Sequence, residues 1–147
     1  MILPLRNRLA IGIVAVCCGF LLLRIASAGT ILKASCPCGY RLNNIYAGGG
    51  FANFRTVCAV PAHCATCKTM EIVNWLDDAP KCGTCRERPV FYNDPSLQEK
   101  LPAGSKPKIV FSWNTDKKGE FVLPDINYRC PRCGRLTLRF TMTGMWD

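Results

Sequence analysis

Apolar and polar positions along the chain fall into two regimes. Leu9 to Leu23 is an unbroken, uncharged apolar run, whereas from Ile31 onward apolar residues come in short clusters or alternate with polar ones. Alternation places successive side chains on opposite faces of a strand, so it predicts a half-buried sheet. It is clearest at the C-terminal end, where Leu136, Leu138, Phe140 and Met142 interleave with Arg135, Thr137, Arg139 and Thr141. Shorter strands are predicted at Ile31–Ser35, Tyr40–Tyr46, Phe51–Val57, Lys68–Leu76, Pro89–Tyr92, Ile109–Trp113 and Phe121–Leu123, the last two joined by the turn Asp116-Lys117-Lys118-Gly119. A Pro-, Ser-, Gly- and Lys-rich connector covers 93–108 and opens with one helical turn capped by Asp94, with Pro95 at its first position. Gly48-Gly49-Gly50 lacks the Lys-Ser/Thr of a phosphate loop and reads as a turn or a close backbone approach.

Composition divides the chain at the same place. Residues 1–28 read as a signal peptide or membrane anchor: Arg6 and Arg8 precede the apolar run, and Ala26-Ser27-Ala28 offers a cleavage site. The run 9–23 is shorter than the roughly 20 residues of a spanning helix, and Arg24 must snorkel for it to extend as an N-terminal hydrophobic helix. Cys17 follows Val16 and is a poor lipoprotein site. Both readings place the domain 29–147 outside, exported or periplasmic in one and membrane-anchored in the other; a cytosolic protein starting near Leu32 is the third. Setting aside Arg6, Arg8 and Arg24 lowers the formal charge from +9 to +6. Without its cysteines the remainder is about 36% apolar, lean against the 45–50% of ordinary globular chains. Something besides an apolar core is expected to hold it.

Cysteines supply the candidate. Four close-spaced pairs stand out: Cys36/Cys38, Cys64/Cys67, Cys82/Cys85 and Cys130/Cys133. Two thiolates in such a turn fit two corners of a zinc tetrahedron, and two turns close one site. Cys64-x2-Cys67-x14-Cys82-x2-Cys85 has a ribbon layout, and Cys130-Pro131-Arg132-Cys133-Gly134 has a knuckle layout that Cys36-Pro37-Cys38-Gly39 repeats one residue shorter. The expected combination is nested, Cys64, Cys67, Cys82 and Cys85 in one site and Cys36, Cys38, Cys130 and Cys133 in the other. The sequential combination is the alternative. Cys58 and His63 are left over and read as a buried thiol and a loop histidine.

Cys-Pro-Cys-Gly, Gly-Gly-Gly-Phe, Cys-x5-Cys-x2-Cys, Asp-Pro-Ser-Leu, Phe-Ser-Trp-Asn, Cys-Pro-x-Cys-Gly and the terminal Gly-x-Trp-Asp together resemble the small bacterial double zinc-ribbon, rubredoxin-like proteins over Cys36–Asp147. The resemblance implies a small β-rich, metal-stabilised fold with Zn2+ in two sites; spacing alone does not separate zinc from iron.

Enzymatic readings find little support. No cysteine pair has the helix N-terminus that activates a redox thiol, a four-cysteine shell leaves no position for water, and the single histidine excludes a His-rich catalytic site. The expected function is a non-enzymatic zinc-binding module engaging an unknown protein partner through Trp113, Tyr128 and Trp146. The alternatives are a cytosolic nucleic-acid-binding ribbon and a redox protein with iron or reactive thiols. The cations beside the cysteine turns, Lys68, Lys81, Arg86, Arg88, Arg129, Arg132, Arg135 and Arg139, are read first as compensating the −2 charge of each zinc–tetrathiolate centre.

Overall fold

The computed structural model describes residues 28–147; the leader or anchor, its hydrophobic helix and Cys17 lie outside the described residues. Among the described residues no helix is long and apolar enough to cross a membrane. Among the described residues nine strands form three antiparallel sheets: β1 (Gly29–Ser35), β2 (Arg41–Ala47), β3 (Ala59–Cys64), β4 (Thr69–Asn74), β5 (Val90–Phe91), β6 (Ile109–Thr115), β7 (Gly119–Pro124), β8 (Tyr128–Arg129) and β9 (Leu136–Trp146). Their orders are β2-β1-β9-β8, β4-β3-β5 and β6-β7. The result is a small β-rich fold.

A single apolar cluster draws on all three sheets: Leu32, Ile45, Leu138 and Phe140 from the first, Val60 and Met70 from the second, Phe111, Phe121 and Leu123 from the third. Aromatic rings fill its centre. Phe140 meets Tyr128 and Tyr92 edge-on at centroid distances of 5.0 and 5.2 Å, and Phe121 meets Trp75 at 5.4 Å. Such pairs add about 0.5–1.5 kcal/mol each beyond area burial. The Tyr92 and Tyr128 hydroxyls donate to the carbonyls of Arg129 and Pro124, so neither ring buries an unpaired polar group.

Several expectations are corrected. Phe51–Val57 is an exposed run of turns, because the Asn53 side chain accepts from the Gly50 N–H at 2.8 Å and the Asn53 carbonyl accepts from the N–H groups of Thr56 and Val57. Ala59–Cys64, where no strand is predicted and His63 is expected in a loop, forms β3; the Pro61 carbonyl accepts from the Tyr92 N–H. The buried face of β9 holds only at Leu138 and Phe140, with Leu136 and Met142 exposed. At the Met142 end the pairing with β1 skips Thr143, an extra residue that shifts the register. Trp113 and Tyr128, expected at the surface, are 6% and 0% exposed, because both belong to the shared core.

The Asp94-capped turn forms at Pro95–Leu97, with the carboxylate accepting from the Ser96 N–H. The glycine run makes the close approach expected of it. Gly48 has φ +92°, and a Cβ there would lie 2.7 Å from the Trp113 ring.

Candidate metal centres

Four turns place the cysteines, and they share one construction. The residue after the second cysteine is left-handed in every case: Gly39 (φ +87°), Lys68 (+54°), Arg86 (+66°) and Gly134 (+70°). That reversal turns the backbone around the pair. Amides then donate inward, Gly39 N to the Cys36 carbonyl, Arg86 N to the Cys82 carbonyl and Gly134 N to the Cys130 carbonyl, at 2.9–3.1 Å. The base of each of three turns is closed by a cysteine amide donating across it: Cys36 to Tyr40, Cys82 to Glu87 and Cys130 to Arg135. The short Cys-Pro-Cys turn reaches the same end point with one residue fewer.

The eight sulfurs form two tetrads, Cys36, Cys38, Cys130 and Cys133 in one and Cys64, Cys67, Cys82 and Cys85 in the other, with ligand atoms within 4.8 Å of one another. This is the nested arrangement. In the first, Cys36 lies 3.8 Å from Cys133 and Cys38 3.6 Å from Cys130. In the second, Cys64 lies 3.5 Å from Cys85 and Cys67 3.8 Å from Cys82. A tetrahedron with Zn–S of about 2.3 Å has edges of about 3.8 Å, whereas a disulfide needs about 2.05 Å. The donor set therefore fits a four-coordinate, thiophilic ion, and all nine described cysteines are free.

Electrostatics favour the same conclusion. Burial pushes the Cys130 thiol up to about 12, while the backbone N–H of Arg135, with its guanidinium behind it, draws Cys133 down to about 6. In the second tetrad the neighbouring Cys85 drives Cys67 up, and the amides of Cys85 and Thr84 draw Cys82 down. Four sulfurs this close cannot all ionise without a cation between them; a divalent ion removes the conflict.

Two supporting side chains carry no motif. The Thr137 hydroxyl lies 3.1 Å from the Cys36 sulfur and 4.0 Å from that of Cys133, bridging both turns of the first tetrad. Glu71 accepts from the Thr69 hydroxyl and from the Gly83 N–H, tying β4 to the Cys82 turn. Thr137 follows Cys133 by four residues on the polar rows of β9, a position sequence alone assigns to solvent.

Neither tetrad includes Cys58 or His63. Cys58 is fully buried, and burial pushes its thiol up to about 12. His63 is 8% exposed and packs edge-on to Tyr92; burial, then the Arg129 charge, holds its imidazole below the usual range. A cleft of about 250 Å³ opens beside it, lined also by Lys68, Arg129, Arg132 and Cys133, and so touches turns of both tetrads.

Fold and site define a small β-rich module with two cysteine tetrads able to hold metal ions, compatible with a double zinc-ribbon-like protein. Compared with known proteins, the chain matches no family model, no curated protein and no solved structure. The resemblance therefore stands on the cysteine spacing and on the tetrads it produces.

Proposed function

We propose that the chain is a non-enzymatic zinc-binding module with two structural four-cysteine sites, held outside the cell membrane and presenting its cysteine end to a protein partner. The observation that carries the reading is the pair of tetrads with sulfur separations of 3.5–3.8 Å. Four thiolates around zinc leave no open coordination position, so the metal supplies folding energy and shape rather than catalysis. With Trp113 and Tyr128 in the core, the partner surface moves to the cationic cleft between the tetrads, which suits an acidic protein surface. Iron would occupy the same thiolates and would colour the purified protein.

Metal analysis combined with a thiol count under non-reducing denaturation tests the reading. About two zinc ions per chain with every cysteine titrating as a free thiol is the expected result for two closed four-cysteine sites. A metal-free chain whose cysteines are consumed in disulfides would overturn it.

A further inference from the structure

The two tetrads lie at one end of the domain. β1 runs from Gly29 to Ser35 and delivers Cys36, and β3 runs from Ala59 to Cys64, while Gly48 pairs with Ala59 at the starting end of both strands. Seven residues of strand at about 3.3 Å each separate the ends of β1 by roughly 20 Å. The end away from the cysteines is apolar and exposed. Phe51 is 67% exposed, Met145 64%, Tyr46 50% and Phe54 39%.

Tyr46, Phe51 and Phe54 gather around Trp146, whereas Met145 alternates to the other face of the sheet, in the row of Thr30 and Ala47. Trp146 packs across Gly29 so closely that a Cβ there would lie 2.3 Å from its Nε1, and it meets Tyr46 edge-on at 5.7 Å. Its Nε1–H already donates to the Ala47 carbonyl, and the Phe51 N–H donates to Asp147 at the rim. Arg55 stacks on Phe54 at 5.6 Å, adding a cation beside the apolar surface. A contiguous apolar surface on a small domain marks an interaction face rather than scatter.

The chain itself identifies what covers it. The apolar run ends at Leu23, six residues before Gly29, which sits under Trp146. Six residues reach at most about 20 Å. A bilayer entered by that run therefore lies within reach of this end, whatever else is bound to the domain. Trp and Tyr concentrate at the headgroup level because their rings are apolar with a polar edge, and an arginine there faces anionic lipid.

We propose that the end of the domain formed by Tyr46, Phe51, Phe54 and Trp146 rests in the headgroup layer of the bilayer entered by residues 9–23, with both cysteine tetrads directed away from it. The proposal rests on retention of the leader as an anchor and is independent of the metal.

The test uses the full chain reconstituted into phosphatidylcholine/phosphatidylglycerol vesicles, with bromine on the acyl chains close to the headgroups. The three tryptophans are Trp75, Trp113 and Trp146, and the first two are 8% and 6% exposed. The expected result is co-flotation with quenching that belongs to Trp146: it disappears in Trp146→Phe, weakens in Phe51→Ser, and is matched by loss of quenching by aqueous acrylamide. Unchanged metal content in both variants separates lost docking from misfolding. Vesicle-bound protein whose Trp146 emission is unquenched by brominated lipid would overturn the proposal, including the case in which a second copy covers the patch. A native chain that begins at Gly29 and does not float would overturn it through the anchor, leaving the metal reading untouched.

Discussion

The two tetrads differ most in the length of chain they close, and this predicts the order in which metal leaves on unfolding. The first tetrad joins residues 97 and 92 positions apart, the second residues 21 and 15 apart. Closing a loop costs roughly (3/2)RT ln n, so a 97-residue closure costs about 1.4 kcal/mol more than a 21-residue one. That is about a tenfold difference in how well the unfolded chain can hold the ion. In a urea titration with a chromophoric zinc chelator, the first ion is expected to leave with the tertiary transition and the second at higher urea. Cys36→Ser removes the early release and Cys85→Ser removes the late one. Release of both ions in a single transition, or early release abolished by Cys85→Ser, would refute the loop-closure argument.

Further outcomes follow from the backbone and from the buried thiol. Gly134→Ala places a Cβ with no atom within 4 Å at φ +70°, so its cost is conformational, about 1–2 kcal/mol by zinc-saturated urea denaturation. Gly48→Ala adds a contact at 2.7 Å from the Trp113 ring to the same strain and is expected to cost more by that assay. Cys58, raised from 9.0 to about 12 when folded, contributes stability that is complete below pH 9 and declines as pH rises from there toward 12, by up to about 1.4 kcal/mol per pH unit. In the metal-saturated protein the tetrad thiols are already ionised, and Tyr92 and Tyr128, both raised by burial, add their losses only above pH 10, so Cys58→Ala should move the onset of alkaline destabilisation up by about one unit, read by denaturation of the metal-saturated chain at stepped pH.

Much of this layout was legible in the sequence, and the exceptions have identifiable causes. Alternation located β2, β6 and the middle of β9 because each buries one face and wets the other. It failed at Phe51–Val57, where Asn53 satisfies the backbone locally and no partner strand is needed. It missed Ala59–Cys64 because that run is almost entirely buried and so shows no alternation. The nested tetrads followed from the compactness of 64–85, which left the remaining turns to each other. The burial of Trp113 and Tyr128 was not readable, since it depends on three sheets sharing one core. The same holds for Thr137, whose solvent-facing row happens to pass between two cysteine turns.

Charge decides how the cationic cleft behaves. A formal +6 for residues 29–147 becomes +2 once two zinc–tetrathiolate centres contribute −2 each. Around the cleft, Arg129 already donates to the Gly134 carbonyl at 2.8 Å, and beside it the Cys133 sulfur raises the Arg135 guanidinium above its usual range. Lys68 and Arg132 are the exposed cations left to meet a ligand there. A single-stranded nucleic acid neutralised by two cations releases few counterions, so log K against log salt should have a slope no steeper than about −1.4. Fluorescence anisotropy with a labelled single strand between low and physiological salt measures it. A slope several-fold steeper would mean that the cations beside the tetrads are free to bind phosphate, and it would replace the protein-partner reading of this face with a nucleic-acid one. A shallow slope with weak binding leaves those cations where the tetrads need them, balancing thiolate charge.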